Sequence, residues 1–102
     1  MGYLLRAECN SCHWYHDTFS FGSGFANRKP KLPAINKATS AFIITDNEYD
    51  PALDYYHSPD MYKGEIEGFG IQHEFIRLNP EGNKCPGCGE YSMRFEVVGE
   101  WD

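Results

Sequence analysis

Four stretches of the chain carry the alternation or composition expected of half-buried strands. Residues 3–9 set Tyr3, Leu5, Ala7 and Cys9 on one face and Leu4, Arg6 and Glu8 on the other. Residues 14–21 set Tyr15, Phe19 and Phe21 together, with Asp17 interrupting the series. Residues 71–78 alternate poorly but are rich in strand formers. Residues 91–98 are the clearest, with Tyr91, Met93, Phe95 and Val97 opposed to Ser92, Arg94 and Glu96. A shorter run, residues 41–45, adds a possible fifth strand.

The pattern between Gly22 and Gly70 is less regular. Asp50-Pro51 ahead of Ala52–His57 predicts a brief helix, with Asp50 as N-cap and Pro51 in the first turn. Ser58-Pro59 repeats that signal and predicts another helical turn through Lys63. Gly64, Gly68 and Gly70 then break regularity. The expectation is an α+β fold: one domain over residues 1–102, mainly antiparallel sheet. An irregular insert, residues 28–70, would carry one or two short helices.

Composition supports a small core. The 102 residues are 41% hydrophobic and include 7 Phe, 7 Tyr and 2 Trp. Each large ring buries roughly 150–250 Å². Apolar runs such as Ala41–Ile44 are too short to span a bilayer. The opening Met-Gly-Tyr-Leu-Leu-Arg lacks a basic start followed by a long apolar stretch, and Arg6 stands where a myristoylation signal wants Ser or Thr. The expectation is therefore a cytoplasmic setting, where stable disulfides are rare.

Four cysteines need another explanation: Cys9, Cys12, Cys85 and Cys88, in two Cys-x-x-Cys pairs. Cys9-Asn10-Ser11-Cys12-His13 has the letter pattern of a haem attachment site, but that reading leaves the second pair idle and normally requires export. A redox dithiol requires a helix after Cys12, and residues 13–21 read as strand. The second pair, Lys84-Cys85-Pro86-Gly87-Cys88-Gly89, has the composition of a tight turn wrapped around a metal: Pro presets φ, and the glycines accept unusual backbone angles. Two such pairs supply four thiolates, which suit tetrahedral Zn²⁺. Flanking strands can bring the pairs together, and loop-closure entropy grows only logarithmically with length. Four protein thiolates leave no open position, so the centre would be structural.

"AECNSCHWYHDTFSFGSGF" near the start and "KCPGCGEYSMRFEVVGEWD" at the end resemble the two halves of a zinc ribbon, more narrowly those of short bacterial zinc-ribbon proteins of unassigned activity. The resemblance covers about the first 27 and last 20 residues and implies Cys9, Cys12, Cys85 and Cys88 as zinc ligands. The sequence departs from the pattern at His13, which stands where the second knuckle has Gly89 and where a left-handed backbone is favoured. The Cys-Pro-Gly-Cys-Gly stretch is also similar to the second knuckle of rubredoxins, which implies an alternative: iron in the same four thiolates and one-electron transfer.

No other constellation reaches that specificity. His13 and His16 lie three apart and would face opposite sides of a strand, while His57 and His73 have no ligand spacing. Phe21-Gly22-Ser23-Gly24-Phe25 fits neither a dinucleotide nor a Walker fingerprint and reads as a tight turn. Asp46, Glu48, Asp50 and Asp54 do not follow EF-hand spacing. No triad order or nucleophile elbow appears, so the chain reads as non-enzymatic.

Formal charge is −6, and four thiolates with one Zn²⁺ make it more negative still, which disfavours nonspecific nucleic-acid binding. Arg28, Lys29, Lys31 and Lys37 form the one stretch suited to nucleic acid. A protein partner is the stronger expectation, with Tyr55, Tyr56 and Tyr62 as possible anchors. The sequence thus points to a zinc-binding interaction module.

Overall fold

The computed structural model describes residues 2–22, 31–47, 49–63, 72–73 and 76–101, by backbone alone at 72, 73, 76, 77 and 101. Among these residues the chain is almost wholly antiparallel sheet. Strand β1, Gly2–Cys9, lies between β2, Tyr15–Gly22, and the last strand, β8, Met93–Trp101. A second sheet places β3, Leu32–Asn36, between β4, Phe42–Thr45, and β5, Leu53–Tyr55. A small ladder joins β6, Gln72–His73, to β7, Ile76–Arg77.

The α+β expectation is overturned. The predicted helix over 50–57 is a turn followed by a strand. Asp50 does act as a local cap: its Oδ1 accepts the Ala52 amide at 2.9 Å and its carbonyl accepts the Leu53 amide at 3.1 Å. The same side-chain bond can begin a helix or close a turn. The outcome is decided by β3, whose Ala34, Ile35 and Asn36 pair with Tyr55, Asp54 and Leu53. Ser58-Pro59 starts only a single 3₁₀ turn, Pro59–Met61. The described part of the 28–70 insert is therefore a sheet, not an irregular segment with helices. Residues 71–78 do not form one strand either, since Gln72 pairs with Arg77 and His73 with Ile76. Residues 71, 74 and 75 lie outside the described residues.

Both flanking strands of the first sheet contain a bulge. The β1–β2 register changes between Leu5↔Phe19 and Ala7↔His16, which leaves an extra residue on β2 at Asp17–Thr18. An extra residue reverses side-chain parity. His16, rather than Tyr15, consequently shares the inner face with Phe19, while Tyr15 is 51% exposed. The β1–β8 register shifts between Leu4↔Gly99 and Leu5↔Val97, beside Val98.

The two sheets share one apolar core. Leu5, Ala7, Phe19, Phe21 and Phe95 come from the first, Leu32 and Ile35 from the second, and Tyr56, Met61 and Leu78 from the connections. Rings meet edge-on or tilted, as aromatic quadrupoles favour: Phe19 with Phe42 at 5.4 Å, and Tyr56 with Phe95 at 5.3 Å. On the outer face of the first sheet, opposed residues form two ion pairs, Arg6–Glu96 and Arg94–Glu8, each at 2.6 Å.

Candidate metal centre

The first cysteine pair sits where β1 meets a turn, and the second forms a turn in the segment ahead of β8. Cys9 is the last residue of β1, and Cys85 lies in the segment leading to β8. Asn83 holds that segment in place by bridging both Tyr62 and Met93. The two turns are built alike. In the first, the His13 amide donates to the Cys9 carbonyl at 3.2 Å and the Cys9 amide to the Trp14 carbonyl at 2.7 Å. In the second, the Gly89 amide donates to the Cys85 carbonyl at 2.9 Å and the Cys85 amide to the Glu90 carbonyl at 2.8 Å. Both turns need a left-handed residue at the same place: His13 has φ 63° and Gly89 φ 76°.

These turns bring the four sulfurs within 4.8 Å of one another. Cys9 and Cys88 sulfurs are 3.7 Å apart, and those of Cys12 and Cys85 3.6 Å. A disulfide needs about 2.05 Å, and all four thiols are free. A tetrahedron with metal–sulfur bonds of ~2.3 Å has edges of about 3.8 Å, close to the two separations seen. The cluster can hold a metal ion, and its all-sulfur donor set fits zinc or iron alike.

Donors converge on the sulfurs. The Ser11 and Cys12 amides approach Cys9 Sγ at 3.4 Å, and the Gly87 amide approaches Cys85 Sγ at 3.2 Å. Ser92 Oγ lies 3.2 Å from Cys9 Sγ. Burial pushes the Cys9 thiol up, but the Cys12 amide, the Ser92 hydroxyl and the Ser11 amide outweigh it and bring it down to about 6. Cys85 is pushed up to about 12 by burial, against the amides of Cys88 and Gly87. The Trp14 amide favours the Cys12 thiolate, yet burial and the neighbouring Cys9 and Cys88 sulfurs leave that thiol above its ordinary value. Four sulfurs this close cannot all ionise by themselves, and a divalent cation supplies the missing charge.

Packing around the centre explains two residues that sequence reasoning passed over. Trp14 lies against the second turn, and a Cβ on Gly87 would stand 3.1 Å from its Cδ1. A side chain at Gly87 would therefore press on the Trp14 ring. Trp14 also packs on Phe42 at 5.2 Å, tying the centre to the second sheet. Ser92 reads in sequence only as an outward strand residue; its role as a sulfur partner depends on the register Cys9↔Met93 beside it.

The other candidates fare differently. Among the described residues, the four cysteines form the one group of three or more His, Cys, Asp or Glu that can hold a metal. His13 is exposed, His16 packs on Phe19 and Phe42, and His57 packs on Tyr55. The His73 side chain lies outside the description. Asp46 and Asp54 face Lys31 and Lys37 at 4.0 and 3.8 Å, and Asp50 caps its turn, so these carboxylates do not assemble a cation site. The same contacts occupy Lys31 and Lys37, while Arg28, Lys29 and Glu48 lie outside the described residues. Gly22 has φ 91°, as a turn out of β2 requires, but 23–25 lie outside the described residues.

Tyr56 is not a surface anchor: it is fully buried, and its hydroxyl donates to the Lys84 carbonyl at 2.6 Å. Tyr55 is half-buried, with its hydroxyl donating to the Asn47 carbonyl. Tyr62 is half-buried where it bridges Asn83. Tyr49, at 87%, is far more exposed. A cleft of about 370 Å³ opens beside the second turn, with Lys37, Ser40, Asp54 and Lys84 on its walls.

No helix among the described residues is long and apolar enough to cross a membrane. No protein-family model, no curated protein and no solved structure matches the chain. The cluster is consistent with a zinc-ribbon-like site, and that assignment stands on the geometry of Cys9, Cys12, Cys85 and Cys88 alone.

Proposed function

We propose that this chain is a non-enzymatic interaction module whose first sheet is braced by a structural zinc ion on Cys9, Cys12, Cys85 and Cys88. The observation that carries this reading is the closed set of four sulfurs within 4.8 Å. Four thiolates fill a tetrahedral zinc, so neither water nor substrate can bind without displacing a ligand. The ion would join the end of β1 to the segment entering β8. A small domain gains much from a metal that closes a long loop.

A protein partner suits the net charge of −6 better than a phosphate backbone does. The contacts of Lys31 and Lys37 with Asp46 and Asp54 further reduce the positive field available to nucleic acid.

The deciding experiment is metal analysis of protein purified without added metal. One zinc per chain and a colourless solution are expected. One iron with strong visible absorption would instead favour the one-electron carrier. Less than a tenth of an equivalent of any metal, in protein kept reduced, would remove both. Affinity capture with and without nuclease then tests the partner class. Partners that vanish after nuclease treatment would overturn the protein-partner half of the proposal.

A further inference from the structure

Ser92 lies four residues beyond Cys88, outside both Cys-x-x-Cys turns. Its Oγ is nevertheless 3.2 Å from Cys9 Sγ. The placement is fixed from both sides. The Asn10 amide donates to the Ser92 carbonyl at 2.9 Å, and the next residue, Met93, is the register partner of Cys9. The start of β8 is therefore clamped to the first turn, with the serine hydroxyl aimed at a ligand from the other half of the chain. Among the described residues, it is the one side-chain hydroxyl within reach of a ligand sulfur.

A metal-bound thiolate has no proton to give, so in the loaded centre the hydroxyl must be the donor. A hydrogen bond to a thiolate withdraws charge from sulfur and makes it a weaker donor to the metal. Cys9 then differs from its counterpart Cys85. Its sulfur faces two backbone amides and a hydroxyl, whereas the donors to the Cys85 sulfur are backbone amides. The two turns match in their backbone hydrogen bonds, and the hydroxyl contact belongs to Cys9.

We infer that Ser92 is a positioning residue of the metal centre, orienting Cys9 Sγ and tuning its bond to the metal through an O–H···S hydrogen bond across the two halves of the site. The inference rests on the reading that the four sulfurs hold a metal. Outer partners of metal ligands typically contribute 10–100-fold in affinity.

The test uses Co²⁺, which reports thiolate coordination by its sulfur-to-metal charge-transfer absorption and tetrahedral geometry by its visible bands. The full chain, Ser92→Ala, Ser92→Val and Ser92→Thr are loaded with Co²⁺, and affinity is measured by competition with a chelator. In Ala and Val the charge-transfer band should move to lower energy, because the freed sulfur donates more strongly. Their affinity should nevertheless fall by about 10-fold or more, because Cys9 Sγ loses the partner that orients it, which outweighs its stronger donation. Thr keeps the hydroxyl at the shape of Val and should behave as wild type. If Ala and Val take up no Co²⁺ while Thr does, the hydroxyl is again the group required.

Unchanged bands and affinity in Ala and Val would overturn the inference while leaving the metal centre intact. So would a Thr variant that behaves like Val. Wild-type protein with no charge-transfer band would defeat the metal reading itself.

Discussion

The two cysteine turns are the same device made from different residues. Each returns its chain through the same pair of backbone hydrogen bonds, and each needs a left-handed residue directly after its second cysteine. The second turn uses Gly89, for which that conformation is free of steric cost. The first uses His13 at φ 63°, a region that costs most L-residues about 1–2 kcal/mol, though His visits it more readily than β-branched residues do. The comparison separates backbone demand from side-chain identity. The tertiary contacts that join β1 to β8 hold the first turn in shape even where its residue would prefer another.

The largest effect should come from removing what the two turns share. Zinc sites contribute roughly 10–16 kcal/mol of apparent binding free energy in peptides, as much as the whole stability of a domain at about 5–15 kcal/mol. Chelation, or Cys85→Ser, should abolish the cooperative thermal transition of the metal-loaded protein. A variant that loses its metal yet keeps that transition would show the turns to be held by packing alone. Acid should act in the same direction, because metal binding requires thiolates and protons compete for them.

Gly87→Ala tests the turns' unequal surroundings. The new methyl would meet Trp14 at 3.1 and 3.3 Å. Overpacking of this kind costs about 1–3 kcal/mol. Denaturant unfolding should show the loss. If Gly87→Ala unfolds like wild type, Trp14 is not the wedge between the second turn and β4.

Exchanging the left-handed residues breaks the comparison most directly. Gly89→His should cost about 1–2 kcal/mol from the backbone alone, since no atom lies within 4 Å of a Cβ there. His13→Gly should recover about 1 kcal/mol or less, because the added freedom of glycine in the unfolded chain offsets part of the gain. A destabilised His13→Gly would mean that the imidazole makes a contribution beyond filling the turn.

The smallest effect lies on the sheet's outer face. The Arg6 guanidinium beside Glu96 holds its carboxyl below the usual range. A depressed carboxylate contributes stability above its unfolded pKa and loses it as pH falls through the folded value. Both groups are solvent-exposed, so little stability is at stake. In Arg6→Met the Glu96 carboxyl should titrate higher by NMR. An unchanged titration would remove the ion pair from consideration.

Local signals were readable where a feature depends on neighbours in sequence. The Cys-x-x-Cys spacing sets a turn whose amides face its own sulfur, and the left-handed demand at His13 followed from comparison with Gly89. Strands β1 and β8 showed themselves by alternation because one side of each faces the core. Alternation misled at β2, where the bulge at Asp17–Thr18 reversed parity and brought His16 inward in place of Tyr15. It also misled at residues 50–57, where Asp50 caps a turn with the chemistry it would use to cap a helix.

By itself, then, the sequence determined that four thiolates are available in two tight turns, and that the strands beside them have an inner face. Only the tertiary structure decided that Leu53–Tyr55 pairs with β3 instead of coiling, that Tyr56 is buried rather than presented, and that Ser92 reaches Cys9. The reason is the same in each case. These outcomes depend on hydrogen bonds and contacts between residues far apart in the chain, and a short window of sequence contains only one side of them.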